Sequence, residues 1–185
     1  LDPAKEEPMQ AAIRAAGSEG DSVGGILETV VTGLPDGIGE PWFDSVESII
    51  SHAAFSLGGV KGVEFGAGFA AADMKGSECN DPLRVSDGRI VTTTNNNGGV
   101  NGGITNGMPI VFRCAVKPTP SIAQQQDTVD FIKNENTQLS IHGRHDPAII
   151  RRICPVLDSV AALCVADMLS LRYGTDVLTK GVDDK

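Results

Sequence analysis

Aromatic side chains are nearly missing from this 185-residue chain, at 4% of its residues. Its core must therefore be aliphatic. Positive charge is short as well: 15 Lys and Arg stand against 24 Asp and Glu, a formal net charge of −9. Nucleic-acid surfaces normally present a basic face, so this balance argues against such a partner. It leaves room for a small anion pocket, which needs only a few placed cations. Cys79, Cys114, Cys154 and Cys164 form no CxxC pair, so a zinc or thioredoxin-type motif is unsupported and no metal site is expected. Cys114, Cys154 and Cys164 lie in apolar runs and read as small buried hydrophobes, reduced in a cytosolic setting. No apolar run approaches the roughly 18 residues of a membrane-spanning helix, so no membrane partner is expected.

What is present is an ordinary soluble composition, 41% hydrophobic and 21% charged. The length suits one domain, taken as residues 1–175 with a disordered tail at 176–185. Residues 3–16 predict a helix, with Pro3 and acids in the first turn and Gly17 as its stop. Residues 22–33 predict a strand, and 42–57 an amphipathic helix ended by Gly58 and Gly59. VKGVEFGAGFAAADM predicts one or two strands broken at Gly66 and Gly68, followed by a polar loop over 75–88 and a short strand at RIVTTT. MPIVFRCAV at 108–116 predicts a buried strand, with weaker strands near 128–132 and 138–141. Pro147 to Tyr173 predicts a helix that Pro155 should kink or split. The order gives an α+β fold with antiparallel strands packed by helices.

Four segments break local rules. The stretch from Thr94 to Gly107 holds five glycines and five asparagines. Such a loop exposes backbone N–H groups to an anion and adds amide donors and acceptors; a long flexible hairpin loop is the plainer reading. KPTPSI (117–122) leaves the best strand with a cation and two hydroxyls on a stiffened backbone, suited to phosphate or simply a rigid strand exit. In HGRHDP (142–147), Asp146 and Pro147 fit the N-cap and first position of the following helix. Arg144 and His145 are left unexplained by that; Arg forks onto anions and Asp takes protons. EGDSVGG (19–25) is a bulge or a ligand contact. His52 reads as structural or surface, and Met108 as core.

Six stretches in order resemble the chorismate synthase family: EGDSVGG (19–25), GIGEP (37–41), VKGVEFGAGF (60–69), TNNNGGVNGGITNGMPI (94–110), KPTPSI and GRHDP (143–147). The resemblance implies part of that family's β-α-β sandwich. It also implies a phosphate-eliminating lyase of aromatic amino acid biosynthesis, the last step of the shikimate pathway. The reaction is the anti 1,4-elimination of phosphate from 5-enolpyruvylshikimate 3-phosphate, and the cofactor is reduced FMN. Members are about twice this long, so the chain resembles a core, C-terminal portion lacking the half with a substrate-gripping histidine and arginines. Alone it is expected to be inactive.

The implied flavin contacts are Gly58 and Gly59 (Asn-Ala in many relatives), Gly102, the run Lys117, Pro118, Thr119, Pro120 and Ser121, and Arg144, which also lies near substrate. Asp146 is the implied carboxylate that helps the flavin accept a proton. A homotetramer in the cytoplasm, or in a plastid for a plant-type source, is implied; self-reduction of flavin by NADPH stays open. A non-catalytic flavin or anion-binding module and a structural oligomerisation domain are the alternatives.

Overall fold

The computed structural model of the chain describes residues 2–181. Helix α1 (Glu6–Ser18) follows a 3-10 turn at Pro3–Lys5 and carries Glu6 and Glu7 in its first turn, where carboxylates favour the helix dipole. It runs through Gly17, the expected stop. The left-handed residue that ends the turn is Gly20, at φ 67, and the Asp21 N–H closes back onto the Ala16 carbonyl at 2.9 Å. Strand β1 is Gly25–Val31. Helix α2 (Val46–Phe55) starts later than its apolar spacing suggested, because Ser45 is the cap: its Oγ accepts the Ser48 N–H at 3.1 Å.

Strand β2 (Val60–Phe65) has no second strand after it. Gly66 and Gly68, at φ 54 and 57, turn the chain into a 3-10 helix over Gly68–Asp73. The expected polar loop at 75–88 instead holds a short helix, α3 (Gly76–Cys79), and β3 (Leu83–Ser86), which pairs with β4 (Arg89–Thr92). Two-residue strands β5 (Val100–Asn101) and β6 (Ile104–Thr105) pair inside the Gly/Asn loop. Strand β7 is Ile110–Val116, and β8 (Gln126–Asp130) and β9 (Glu135–Leu139) form a hairpin.

The 24-residue helix α4 (Ile150–Tyr173) is not split by Pro155. Pro155 frees the carbonyl of Arg151, and both residues are exposed, so water can satisfy that carbonyl. A last short helix, α5 (Val177–Lys180), falls within the segment expected to be a disordered tail; residues 182–185 of that segment lie outside the described residues.

β7 is the centre of a three-stranded antiparallel sheet ordered β1-β7-β2. Side chains alternate across a strand. Ile110, Phe112, Cys114 and Val116 therefore share the buried face, and Arg113 and Ala115 the open one. On the buried face Phe112 stacks on Phe65 at 5.5 Å. Val46, Ile50 and Ala54 of α2 and Ile153, Leu157, Ala161, Cys164 and Met168 of α4 close that core at helical spacing. By length and composition α4 could reach across a bilayer, with a mean hydropathy of 1.7, but this stripe packs on the sheet. Cys114 and Cys164 are buried as expected, whereas Cys154 faces out on α4. Met108 is only half-buried.

Candidate functional site

Where β7 ends, the chain enters KPTPSI. The Lys117 N–H donates to the Gly59 carbonyl at 2.9 Å, which ties the strand exit to the turn after α2. A Cβ on Gly59 would come within 3.0 Å of Ile149 Cδ1, so this turn lies against the approach to α4. The segment 20–24 straps these pieces together. Ser22 Oγ donates to the Thr119 carbonyl at 2.7 Å. The Val23 N–H donates to the Pro147 carbonyl at 2.8 Å, and the Ala123 N–H to the Gly20 carbonyl at 2.9 Å. Gly58, Gly59, Lys117 to Ser121 and the 144–147 segment are thereby linked at one end of the sheet. Lys117, Pro118, Pro120 and Gly58 are exposed; Ser121 is half-buried. Thr119 Oγ1 is buried and has no hydrogen-bond partner among the described residues.

Arg144, His145, Asp146, Pro147 and Arg152 line an open cleft of about 540 Å³. His145 Nε2 donates to the Ile141 carbonyl at 3.0 Å, and Arg144 is exposed. Asp146 does not cap α4, which begins at Ile150 with Ile149 before it. The Pro147 carbonyl is committed to Val23, and Asp146 instead accepts the Ala148 N–H at 3.1 Å and pairs with Arg152 Nε at 2.7 Å. A carboxylate, a histidine and two arginines thus face one cleft beside the start of a long helix. That donor set suits an anion, with Asp146 as the group able to hold a proton.

Gly102 is elsewhere. It sits in the β5–β6 turn at φ 60, and a Cβ there would meet nothing within 4 Å. Its neighbours are constrained differently. A Cβ on Gly98 would lie 2.5 Å from Gly66 N, and one on Gly66 2.1 Å from the Asn96 carbonyl oxygen. Those glycines exist because two backbones touch; Gly102 faces open space. Gly103 packs on Ser45 at the start of α2, whereas Gly59 follows the end of α2. β7 runs between the two sites, a span of roughly 20 Å at about 3.4 Å per residue. Within one chain the structure does not bring Gly102 to the Lys117 end.

Arg152 has no local signature in the sequence, and neither does the Ser22 bond to the Thr119 carbonyl, although both of those segments stand out by composition. Arg113 has one: it is a charge inside an apolar strand. It pairs across the open face with Glu64 at 2.8 Å and Glu28 at 3.8 Å, in ladder register with both. The Phe69 N–H, followed by Arg113, holds the Glu64 carboxyl below its ordinary value against the opposing effect of burial. No group of His, Cys, Asp or Glu among the described residues is placed to hold a metal.

Comparison with known proteins covers nearly the whole chain. The profile of the chorismate synthase family matches residues 1–170. Chorismate synthase of Korarchaeum cryptofilum is 52% identical over 166 residues, 89% of this chain and 46% of that protein. The one of Chitinophaga pinensis is 54% identical over 178 residues, 96% of this chain and 52% of that protein. A crystal structure of chorismate synthase superposes with a TM-score of 0.75 at 32% identity, covering 94% of this chain and 45% of the other. The chain spans about half the length of the curated relatives it matches.

Proposed function

The chain belongs to the chorismate synthase family, and we propose that the protein carrying it converts 5-enolpyruvylshikimate 3-phosphate to chorismate and phosphate with reduced FMN. The observation that supports this most is the Lys117 end of the sheet. Separate segments, tied by Ser22 and Val23, bring Lys117 and a buried hydroxyl, Thr119 Oγ1, which has no partner among the described residues, to the same end of the sheet as the cleft lined by Arg144 and Arg152. A buried polar atom without a partner costs free energy unless a ligand completes it. The set fits a flavin with an anionic tail.

When bound, reduced flavin supplies electron density to a redox-neutral elimination, chemistry that no side chain can provide. The chain's own residues do the rest. Lys117 and the Thr119 hydroxyl hold the anionic, polar edge of the cofactor. Gly58 and Gly59 keep the adjoining turn free of side chains, and the Pro118 and Pro120 rings stiffen the run that ends at Ser121. Arg144 neutralises negative charge between cofactor and substrate. Asp146, steadied by Arg152 and the Ala148 N–H, presents a carboxylate oxygen that helps proton transfer to the flavin. Gly102 stands at the opposite end of β7, so its flavin contact is with a molecule held by a second copy of the chain in a homotetramer. Archaeal and bacterial relatives favour the cytosol as the compartment. The 185 residues by themselves are expected to give no turnover.

The test is anaerobic single turnover with reduced FMN in the full-length gene product. Asp146→Asn keeps an acceptor for the Ala148 N–H and loses only the charge facing exposed Arg152, a pair worth about 1 kcal/mol or less. Its stability should stay within that margin, while chorismate formation falls by about 10²-fold, the scale of a lost acid–base group. A wild-type rate in Asp146→Asn would reduce Asp146 to a structural residue. No chorismate from the unaltered protein would sink the enzyme reading and leave a flavin-binding module.

A further inference from the structure

One carboxylate outside the Gly/Asn loop holds it. Asp81 lies between α3 and β3. Its Oδ1 accepts from Thr94 Oγ1 at 2.6 Å and from the Asn96 N–H at 2.7 Å. Its Oδ2 accepts from the Asn97 N–H and from Asn97 Nδ2, both at 2.9 Å. Behind this cradle Asn96 Nδ2 donates to the carbonyls of Glu78 and Cys79 at 3.2 and 3.1 Å, and the Ala67 N–H donates to the Asn96 carbonyl at 2.7 Å. Burial pushes the Asp81 carboxyl up, but the hydrogen bonds from Thr94, Asn97 and Asn96 outweigh it and hold the group below its ordinary value.

The chemistry needs a carboxylate. Four donors converge on two oxygens. An amide at this position would offer one acceptor and turn its own N–H₂ against donors. Directly after Asn97 come Gly98 and Gly99, seated against Gly66 and Pro109, and then the β5–β6 turn that carries Gly102. The orientation of Asn96 and Asn97 therefore sets where Gly102 is presented.

Resting on the flavin contact assigned to Gly102 above, we propose that Asp81 is a positioning residue for the reaction: it clamps Thr94, Asn96 and Asn97 so that the Gly102 turn is held ready to meet the flavin. It touches neither cofactor nor substrate. Its effect reaches the flavin through the loop backbone.

The experiment uses the full-length gene product and FMN itself as the probe. Hydrogen exchange of the peptide 94–107, the FMN dissociation constant and the visible circular dichroism of bound FMN are read in Asp81→Asn, Thr94→Val and Gly102→Leu. Asp81→Asn should speed exchange of 94–107 and weaken FMN by about tenfold each, because an amide leaves part of the four-donor set unmet, with a changed dichroism band. Thr94→Val removes a single donor and should move the same readouts by about threefold; it carries the test if Asp81→Asn does not fold. Unchanged exchange in both Asp81→Asn and Thr94→Val overturns the clamp. Faster exchange with unaltered FMN affinity and dichroism, while Gly102→Leu weakens FMN, overturns the positioning role alone. Unaltered FMN binding in Gly102→Leu overturns the flavin contact of the loop, and the role of Asp81 with it.

Discussion

At the Ile110 end of β7, a loop rich in donors and acceptors is satisfied by its own chain; at the Lys117 end, a much shorter set of polar groups is left open. Asp81 takes four hydrogen bonds from Thr94, Asn96 and Asn97. Asn95 donates to the Pro109 carbonyl at 2.8 Å and accepts the Gly99 N–H at 2.7 Å. At the other end Lys117 and Arg144 are exposed and Thr119 Oγ1 is buried without a partner among the described residues. A glycine- and amide-rich composition therefore does not measure how much of a loop is available to a ligand. Most of the Gly/Asn loop is consumed in holding itself, while the turn at Asn101 and Gly102 faces open space.

The largest expected effect breaks the self-contained end. A Cβ on Gly66 would sit 2.1 Å from a carbonyl oxygen and 2.4 Å from Gly98 N, at φ 54. Neither backbone can yield without moving the loop. Gly66→Ala should cost about 3 kcal/mol or more in a urea midpoint, the range of a strained, overpacked site. Gly102→Ala meets no atom and should lose only about 1–2 kcal/mol for its left-handed backbone. Equal losses at the two positions would show that conformation, not backbone contact, selects these glycines.

Next comes the open end. Lys117→Ala should weaken FMN by about tenfold, a loss near 1.5 kcal/mol, and the loss should shrink as salt rises. Stability without FMN should not move, because the side chain is exposed. An unchanged dissociation constant returns Lys117 to a strand exit.

Acid gives a smaller contrast. The Asp81 and Glu64 carboxyls are both held below their ordinary values of 3.8 and 4.5, and both support the loop end. A group with a lowered folded pKa stabilises the fold above its unfolded pKa, and that stabilisation fades as pH falls through the folded value. Stability should therefore drop as pH falls below about 4. The drop should be shallower in Asp81→Asn, which has no charge to lose. A parallel drop in both proteins would remove Asp81 from the acid response.

The α+β class, the antiparallel sheet and the burial of MPIVFRCAV were legible because period-2 and period-3.6 apolar patterns report burial directly. Boundaries were less so. Gly17 has the composition of a helix stop, but Gly20 adopts the left-handed turn. Pro155 has the composition of a helix break, but the carbonyl it frees is exposed. Asp146 looked like a cap because Pro147 follows it. The commitment of the Pro147 carbonyl to Val23, which lies 124 residues earlier, is invisible in local sequence. The same holds for Asp81. Its partners lie 13 to 16 residues downstream, and its own neighbours, Asn80 and Pro82, suggest only a turn. Sequence showed which segments break the rules, while long-range hydrogen bonds decide which of them are closed.

The smallest expected effect tests the comparison most directly, because it makes one substitution at both ends. Valine replaces the threonine hydroxyl with a methyl and keeps the β-branch, so backbone preferences stay the same. At position 94 the hydroxyl donates to an ionised carboxylate at 2.6 Å. Thr94→Val loses that bond and should destabilise the protein by about 1 kcal/mol, the scale of an ordinary net hydrogen bond, since exposure to water weakens the contribution of the charge. At position 119 the hydroxyl is buried and has no partner among the described residues. Thr119→Val removes an unpaired polar group, so stability without FMN should be unchanged or rise by up to ~1 kcal/mol. Its FMN affinity should fall by several-fold, since the ligand then loses the one partner the hydroxyl was kept for. Urea midpoints with and without saturating FMN give all four numbers. Opposite signs without FMN, and a penalty at 119 that emerges only with FMN, sustain the contrast between a closed end and an open one. A loss at 119 equal to that at 94 without FMN would mean that Thr119 is already satisfied, and the open end would have to be argued from Lys117 and Arg144 alone.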